Sequence, residues 1–266
     1  MKISKKKILM IIFSVIVIII GIILWKAYTF STVYNKGVAY YKEGNYDKAI
    51  ECFQKAIELN PNHKKVYCIM GIVYEDNGDF DKAIEYYEKA IELNPNFAEV
   101  YCSMGSVYVN KGKFDKVIEY CEKAIELKPD YADAYCNMGI AYLVKSNYDK
   151  AIECYKKVIE LQPDNAEAYS NIGLAYLRES NYDKGIECLQ NNVELKPNDA
   201  GAYHNMGAAY VIKGNYDKAI EYFQKAIELR PNDADTYFSM GRAYEHLGEQ
   251  AKADECFQKE IMLRNK

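Results

Sequence analysis

The octapeptide GNYDKAIE at Gly44–Glu51 returns unchanged at Gly214–Glu221, and near copies begin at Gly78, Gly112, Ser146 and Ser180, each 34 residues after the one before. A fixed period of this size constrains the fold more than length or composition does. A chain built from one repeated supersecondary unit buries its apolar faces by stacking neighbours and needs no single central core. All six prolines share one column of the period: Pro61, Pro95, Pro129, Pro163, Pro197 and Pro231. Proline cannot continue a helix, so each one closes a unit. Units then start at Phe30, Lys64, Ala98, Ala132, Ala166, Ala200 and Ala234, and the last stops one residue short of a full period.

The other columns read as two amphipathic helices per unit. Glycine recurs inside the first helical pattern at Gly37, Gly71, Gly105, Gly139, Gly173, Gly207 and Gly241. Each costs about 1 kcal/mol relative to Ala in a helix, so a close approach of the second helix is expected there. The alanine column Ala49, Ala83, Ala151, Ala219 and Ala253, with Val117 and Gly185 as variants, is expected to supply that contact. A second glycine column, Gly44, Gly78, Gly112, Gly214 and Gly248, stands where the first helix should end in a left-handed residue; Ser146 and Ser180 are its exceptions. Asn45, Asp79, Asn147, Asn181 and Asn215 follow as N-cap candidates, with an acid two residues later in the first turn. Inside the second helix Glu51–Lys55, Glu85–Lys89, Glu119–Lys123, Glu153–Lys157 and Glu221–Lys225 are spaced to pair at i,i+4. The fifth unit places Gly185 and Asn192 where its neighbours carry Ala or Val, so it is expected to pack less well.

The string Y-x2-M-G-x2-Y, as in Tyr67–Tyr74, is followed by Ala83, Tyr87, Ala90 and Pro95. This resembles the tetratricopeptide repeat family, whose period and W-x2-L-G-x2-Y…A-x3-F…P pattern it matches with Tyr for Trp and Met for Leu. The resemblance covers Phe30–Lys266 and implies an all-α fold: a right-handed superhelical solenoid of seven antiparallel helix pairs, with a concave groove lined by the first helix of each pair.

The segment before the repeats has a different character. Residues 1–26 hold Lys2, Lys5, Lys6, Lys7 and Lys26 and no acid, so the repeats are more acidic than the overall formal charge of -4. Nucleic-acid binders carry a basic patch or stripe, and an acidic repeat array argues against such a partner. Ile8–Leu24 is uncharged and reaches roughly 25 Å as a helix, enough to span a bilayer with help from its flanks. The sequence divides as a basic tail at residues 1–7, a transmembrane signal anchor at 8–25 ending on Trp25, a junction at 26–29 and the repeats at 30–266. No small-x-small cleavage site follows the run, so the anchor is expected to be retained. The lysine bias places the tail in the cytoplasm and the repeats outside it. The cysteines pull the other way, because eight of them in an exported domain would suggest disulfides. They follow the repeat columns (Cys68, Cys102 and Cys136 in one; Cys52, Cys154, Cys188 and Cys256 in another; Cys121 beside it). Equivalent helices lie too far apart for bridges within a column. No CxxC or paired histidine suggests a metal, and no cofactor motif or catalytic constellation stands out.

What the resemblance implies for function is protein binding. Its groove column here reads Asn35, Ile69, Ser103, Asn137, Asn171, Asn205 and Ser239. An asparagine donates and accepts at once, so the row Asn137, Asn171 and Asn205 is suited to holding a peptide main chain, similar to the ladder in the repeat domain of O-GlcNAc transferase. Ile140, Leu143, Val144, Leu174, Leu177, Val211 and Ile212 flank it and are expected to receive apolar side chains. The family's carboxylate clamp needs Lys or Arg in the groove, whereas this chain offers Glu99, Asp133, Glu167 and Asp235 at the edge. The expected function is a membrane-anchored, non-catalytic scaffold that binds a peptide or helix of partner proteins, with no metal or cofactor. The alternatives are a self-associating component of an envelope or secretion assembly, and an accessory subunit that presents substrate to a separate enzyme.

Overall fold

The computed structural model describes residues 5–265, with the side chains of residues 5–9, 11 and 12 left out of that description. The basic tail expected at residues 1–7 lies outside the described side chains. Among the described residues the chain forms fourteen α-helices and no strand. They fall into two compact units, residues 1–112 and 113–266.

The first unit holds α1 (Lys5–Lys42), α2 (Tyr46–Leu59), α3 (Lys64–Asp76), α4 (Phe80–Leu93) and α5 (Ala98–Asn110). The single helix α1 carries both the apolar run and the first helix of the first repeat, and residues 26–29 are helical within it. Along its N-terminal part, Phe13, Val15–Ile20 and Ile22–Trp25 are all exposed. By length and composition this stretch could cross a membrane, and a signal sequence would have the same character. Two helix pairs follow the repeat pattern, α1 with α2 and α3 with α4.

The second unit holds α6 (Phe114–Leu127), α7 (Ala132–Val144), α8 (Tyr148–Leu161), α9 (Ala166–Arg178), α10 (Tyr182–Leu195), α11 (Ala200–Ile212), α12 (Tyr216–Leu229), α13 (Ala234–His246) and α14 (Gln250–Arg264). Its pairs are α7/α8, α9/α10, α11/α12 and α13/α14.

The helical glycines meet the second helix of each pair as expected, but the residue they meet is not the expected one. A Cβ on Gly139 would stand 2.7 Å from the Tyr155 ring, and one on Gly207 would stand 2.5 Å from the Phe223 ring. The group each glycine accommodates is the large side chain sixteen residues on (Phe53, Tyr87, Tyr155, Leu189, Phe223 or Phe257), not the alanine column. The alanines are fully buried, and in the fifth repeat that column also comes close to the glycine, where a Cβ on Gly173 would lie 3.0 Å from the Gly185 carbonyl oxygen.

The turns agree with the pattern more closely. Gly44, Gly78, Gly112, Gly214 and Gly248 all have positive φ, and Ser146 (57°) and Ser180 (60°) adopt the same left-handed conformation without a glycine's freedom. The side chains of Asn45, Asp79, Asn147 and Asn215 accept from the backbone N–H three residues on; Asn181 makes no such bond. Of the expected i,i+4 pairs, Glu119–Lys123 forms at 3.9 Å, while Lys89 and Lys157 turn to Glu92 and Glu160 at 2.6 Å. All are exposed, and such pairs contribute at most about 1 kcal/mol.

Candidate functional site

The residues expected to line a groove lie on α7, α9 and α11 of the second unit. Asn137, Asn171 and Asn205 are half-buried, not solvent-facing as free recognition groups would be. The Asn205 amide donates to Ser170 Oγ at 3.3 Å, across to the preceding repeat. Beside that row, His204 Nδ1 lies 2.7 Å from Thr236 Oγ1 and ties α11 to α13. Burial lowers the His204 pKa, against the pull of Asp233 and Asp235. Asn205 is therefore engaged in contacts between repeats.

The apolar candidates separate. Leu174 is 37% exposed; Ile140, Leu143 and Val211 are half-buried and pack against core clusters. Leu177 is buried at 6% among Leu189, Val193, Ala202, Met206 and Ala209, so it belongs to the core. The cause is Gly185: a Cβ there would lie 2.9 Å from Leu177, and its absence leaves room for the leucine to turn inward. Val144 and Ile212, expected in the same apolar wall, are exposed at 55% and 52%. Leu143, Val144, Ser146, Tyr148, Leu174 and Arg178 line a depression of about 430 Å³ where α7 and α9 end. Tyr148, from the aromatic column that opens most second helices, and Arg178, at the end of α9, join the apolar residues there.

The electrostatic environment of this face is acidic at the start of its helices. Burial pushes the Cys136 thiol up to about 11, and the Asp133 and Glu167 carboxylates add to the shift. Cys68 in the first unit is likewise pushed to about 11 by burial and then by Glu99. These thiols are held protonated and are poor nucleophiles.

In the second repeat, within the first unit, the positions equivalent to Leu143 and Val144 hold the hydrogen-bonded carboxylates Glu75 and Asp76. Glu75 accepts from the Tyr87 hydroxyl and from Ser106 Oγ, each at 2.8 Å. The Tyr41 hydroxyl donates to Asp76 at 2.6 Å, which pushes its pKa up to about 12. Ile72, the counterpart of Leu174 there, is half-buried. The chemistry both units can perform is recognition: apolar contact, main-chain hydrogen bonding and charge.

The tetratricopeptide repeat profile matches residues 32–63, 65–97, 98–131, 132–165, 166–199 and 200–233, and a second profile of the same repeat matches 222–255. No curated protein matches the chain. Among solved structures, MamA is 31% identical over 64% of this chain and 92% of its own, with a TM-score of 0.57. YrrB, described as a tetratricopeptide repeat protein with an unusual peptide-binding site, is 27% identical over 68% of this chain and 94% of its own, with a TM-score of 0.58. A repeat protein from Parabacteroides merdae ATCC 43184 shares the fold at 18% identity and a TM-score of 0.72, over 88% of this chain and 93% of its own. These proteins share an all-helical repeat scaffold of the kind used for protein–protein interaction. With the profiles matching most of its length in register with the observed helix pairs, the chain belongs to the tetratricopeptide repeat family.

Proposed function

We propose that this protein is a membrane-anchored, non-catalytic scaffold that binds a peptide or helix of a partner protein on the face shared by α7, α9 and α11. The observation that carries this reading is the exposure of Val144, Leu174 and Ile212 on first helices whose other apolar residues are buried or half-buried. Aliphatic groups left in water on one face, beside the half-buried row Asn137, Asn171 and Asn205, suit a ligand with an apolar side and a main chain to hold. The peptide-binding site named for YrrB supports the same use of this fold. The exposed apolar stretch of α1 supports a retained anchor, and the lysines before it favour repeats on the side away from the cytoplasm.

Two measurements test this. A photo-crosslinking residue placed at Val144 should capture protein from native membranes more efficiently than one at Glu228 on α12; equal capture would remove this face as the binding site. Protease added to intact cells should digest the repeats and leave a fragment that begins at Met1 or Lys2. Protected repeats would overturn the orientation, and a mature N-terminus beyond Leu24 would overturn the anchor.

A further inference from the structure

Three junctions between repeats are closed by the same ion pair. Lys111 reaches Asp81 at 2.7 Å in the first unit, and Lys145 reaches Asp115 and Lys213 reaches Asp183, both at 2.6 Å, in the second. In each, the lysine follows a first helix and the aspartate begins the second helix of the repeat before. At the junction of the fourth and fifth repeats the equivalent residues are Glu179 and Asp149, both exposed. Elsewhere the cation is replaced by a neutral residue, Asn77 opposite Asp47 or Leu247 opposite Asp217; only here is it replaced by a second carboxylate. Among the described residues neither Glu179 nor Asp149 has an ion-pair partner, and Arg178, although nearby, pairs with neither. The depression lined by Leu143, Val144, Ser146, Tyr148, Leu174 and Arg178 opens at this same junction, with Glu179 and Asp149 each adjacent in sequence to a lining residue, Arg178 and Tyr148.

We propose that this depression receives a basic amphipathic segment of a partner protein, whose aliphatic side chain packs on Leu143, Val144 and Leu174 while an adjacent Lys or Arg stands between Glu179 and Asp149. The inference rests on the reading of this face as a binding face and specifies the ligand's chemistry. The repeat geometry already holds an ammonium group against this aspartate position three times over. At the one junction where it carries two carboxylates, an incoming cation relieves repulsion as well as gaining attraction, and charge complementarity of this sort selects the partner.

The test uses the full chain in a neutral detergent, with protein-free micelles as blank, and a fluorescent amidated Leu/Lys amphipathic peptide beside a Leu/Glu peptide of equal length. Fluorescence anisotropy should show binding of the Leu/Lys peptide and its weakening by salt. Glu179→Lys, which supplies the rung from within, should weaken it by about fivefold or more, as loss of a pair near the upper end for exposed ions would. Asp149→Asn should weaken it in the same direction, and Glu228→Lys, the same charge change on α12, should leave it nearly unaltered. Equal weakening by Glu179→Lys and Glu228→Lys would overturn the proposal, as would preference for the Leu/Glu peptide, which would make Arg178 the anchor. If Glu179 and Asp149 prove indifferent while Val144→Asn or the triple change of Asn137, Asn171 and Asn205 to Ala abolishes binding, this proposal fails and the wider reading of the face survives. Indifference to all of these changes sinks both.

Discussion

The fourth repeat (residues 132–165) and the fifth (166–199) share a period, a pair of helices and a unit, yet they fill their interiors differently. In the fourth, the Tyr155 ring lies under Gly139, Ala151 and Val158 are fully buried, and Asn147 caps α8 with a 3.3 Å bond from the Lys150 N–H. In the fifth, Leu189 replaces the ring, Gly185 replaces the alanine and Asn192 replaces the valine; the Asn181 side chain makes no cap bond. The lost volume is recovered partly by Leu177, which turns into the space above Gly185. The comparison teaches that the repeat pattern specifies where the helices go, while the fit between them is negotiated locally. A leucine expected to face a ligand becomes core because a methyl group is missing on the helix opposite.

The largest effect should come from filling the glycine contact. Gly139→Ala would place a Cβ 2.7–3.0 Å from the fully buried Tyr155 ring, and Gly173→Ala would meet both Leu189 and the Gly185 carbonyl oxygen at 2.8–3.0 Å. Each is expected to lower stability by about 1–3 kcal/mol, the usual cost of overpacking a filled core. The leucine of the fifth repeat can move aside but the backbone oxygen cannot, so the two variants should suffer alike. Thermal melts that show Gly139→Ala unaffected would mean that α7 and α8 do not meet as described.

Each repeat also buries a polar atom with no partner, and these should respond in the opposite direction. The Tyr155 hydroxyl is buried unbonded, whereas its counterpart Tyr87 bonds to Glu75. The difference is that Leu143 stands where the second repeat has Glu75. Tyr155→Phe is therefore expected to gain about 1 kcal/mol, because an unmade buried hydrogen bond costs about 1–3 kcal/mol. Asn192 is 4% exposed, its amide donates to the Ala166 carbonyl oxygen at 2.8 Å, and its own Oδ1 is unpaired. Asn192→Val, copying Val158, should gain a similar amount. A loss in denaturant titration would show that the bond to Ala166 outweighs the orphaned oxygen.

The helix pairs were legible in the sequence because their determinants are local and repeated: Pro61 and its equivalents end each pair, Gly44 and its equivalents turn the chain, and Asn45 or Asp79 starts the next helix. The glycine contact was legible as a close approach, but its partner was not, since Tyr87 and Ala83 lie on the same helix and only coordinates say which one reaches Gly71. The candidate site was less legible still. Leu174 and Leu177 are three residues apart in one helical stripe and separate into surface and core through a substitution eight residues beyond Leu177. The depression at Leu143 and Leu174 borrows Tyr148 from the next helix, and its acidic border follows from a change of sign at Glu179, visible in the sequence only once Lys111, Lys145 and Lys213 are known to pair with aspartates.

The left-handed serines mark both repeats apart from the other five. Ser146 at φ 57° and Ser180 at φ 60° occupy a conformation that glycine adopts without steric penalty. Replacing either by Gly should gain about 0.5–1 kcal/mol, the strain relieved less the extra freedom of glycine in the unfolded chain. The gain should be the same in the fourth and fifth repeats, because it depends on backbone conformation and not on the packing that separates them. Unequal gains in melts of the two single variants would show that the turns are coupled to the interiors.

The smallest effect is expected from Glu179→Lys, which brings the fifth repeat into line with the fourth by creating the equivalent of the 2.6 Å Lys145–Asp115 pair. The side chains of that pair are 42% and 88% exposed, so most of the Coulomb energy is screened by water. A gain of about 0.2–1 kcal/mol is the range for exposed pairs, and relief of the repulsion between Glu179 and Asp149 belongs within it. The effect should shrink in high salt, whereas those of Gly139→Ala and Ser146→Gly should not, because screening acts on charges and not on contacts or backbone strain. Chemical denaturation in urea, which leaves ionic strength free to vary, separates the two kinds of effect. A Glu179→Lys variant as stable in concentrated salt as in dilute buffer, and no more stable than the parent in either, would mean that the two carboxylates do not face each other. It would also remove the charge argument for a basic ligand at this junction.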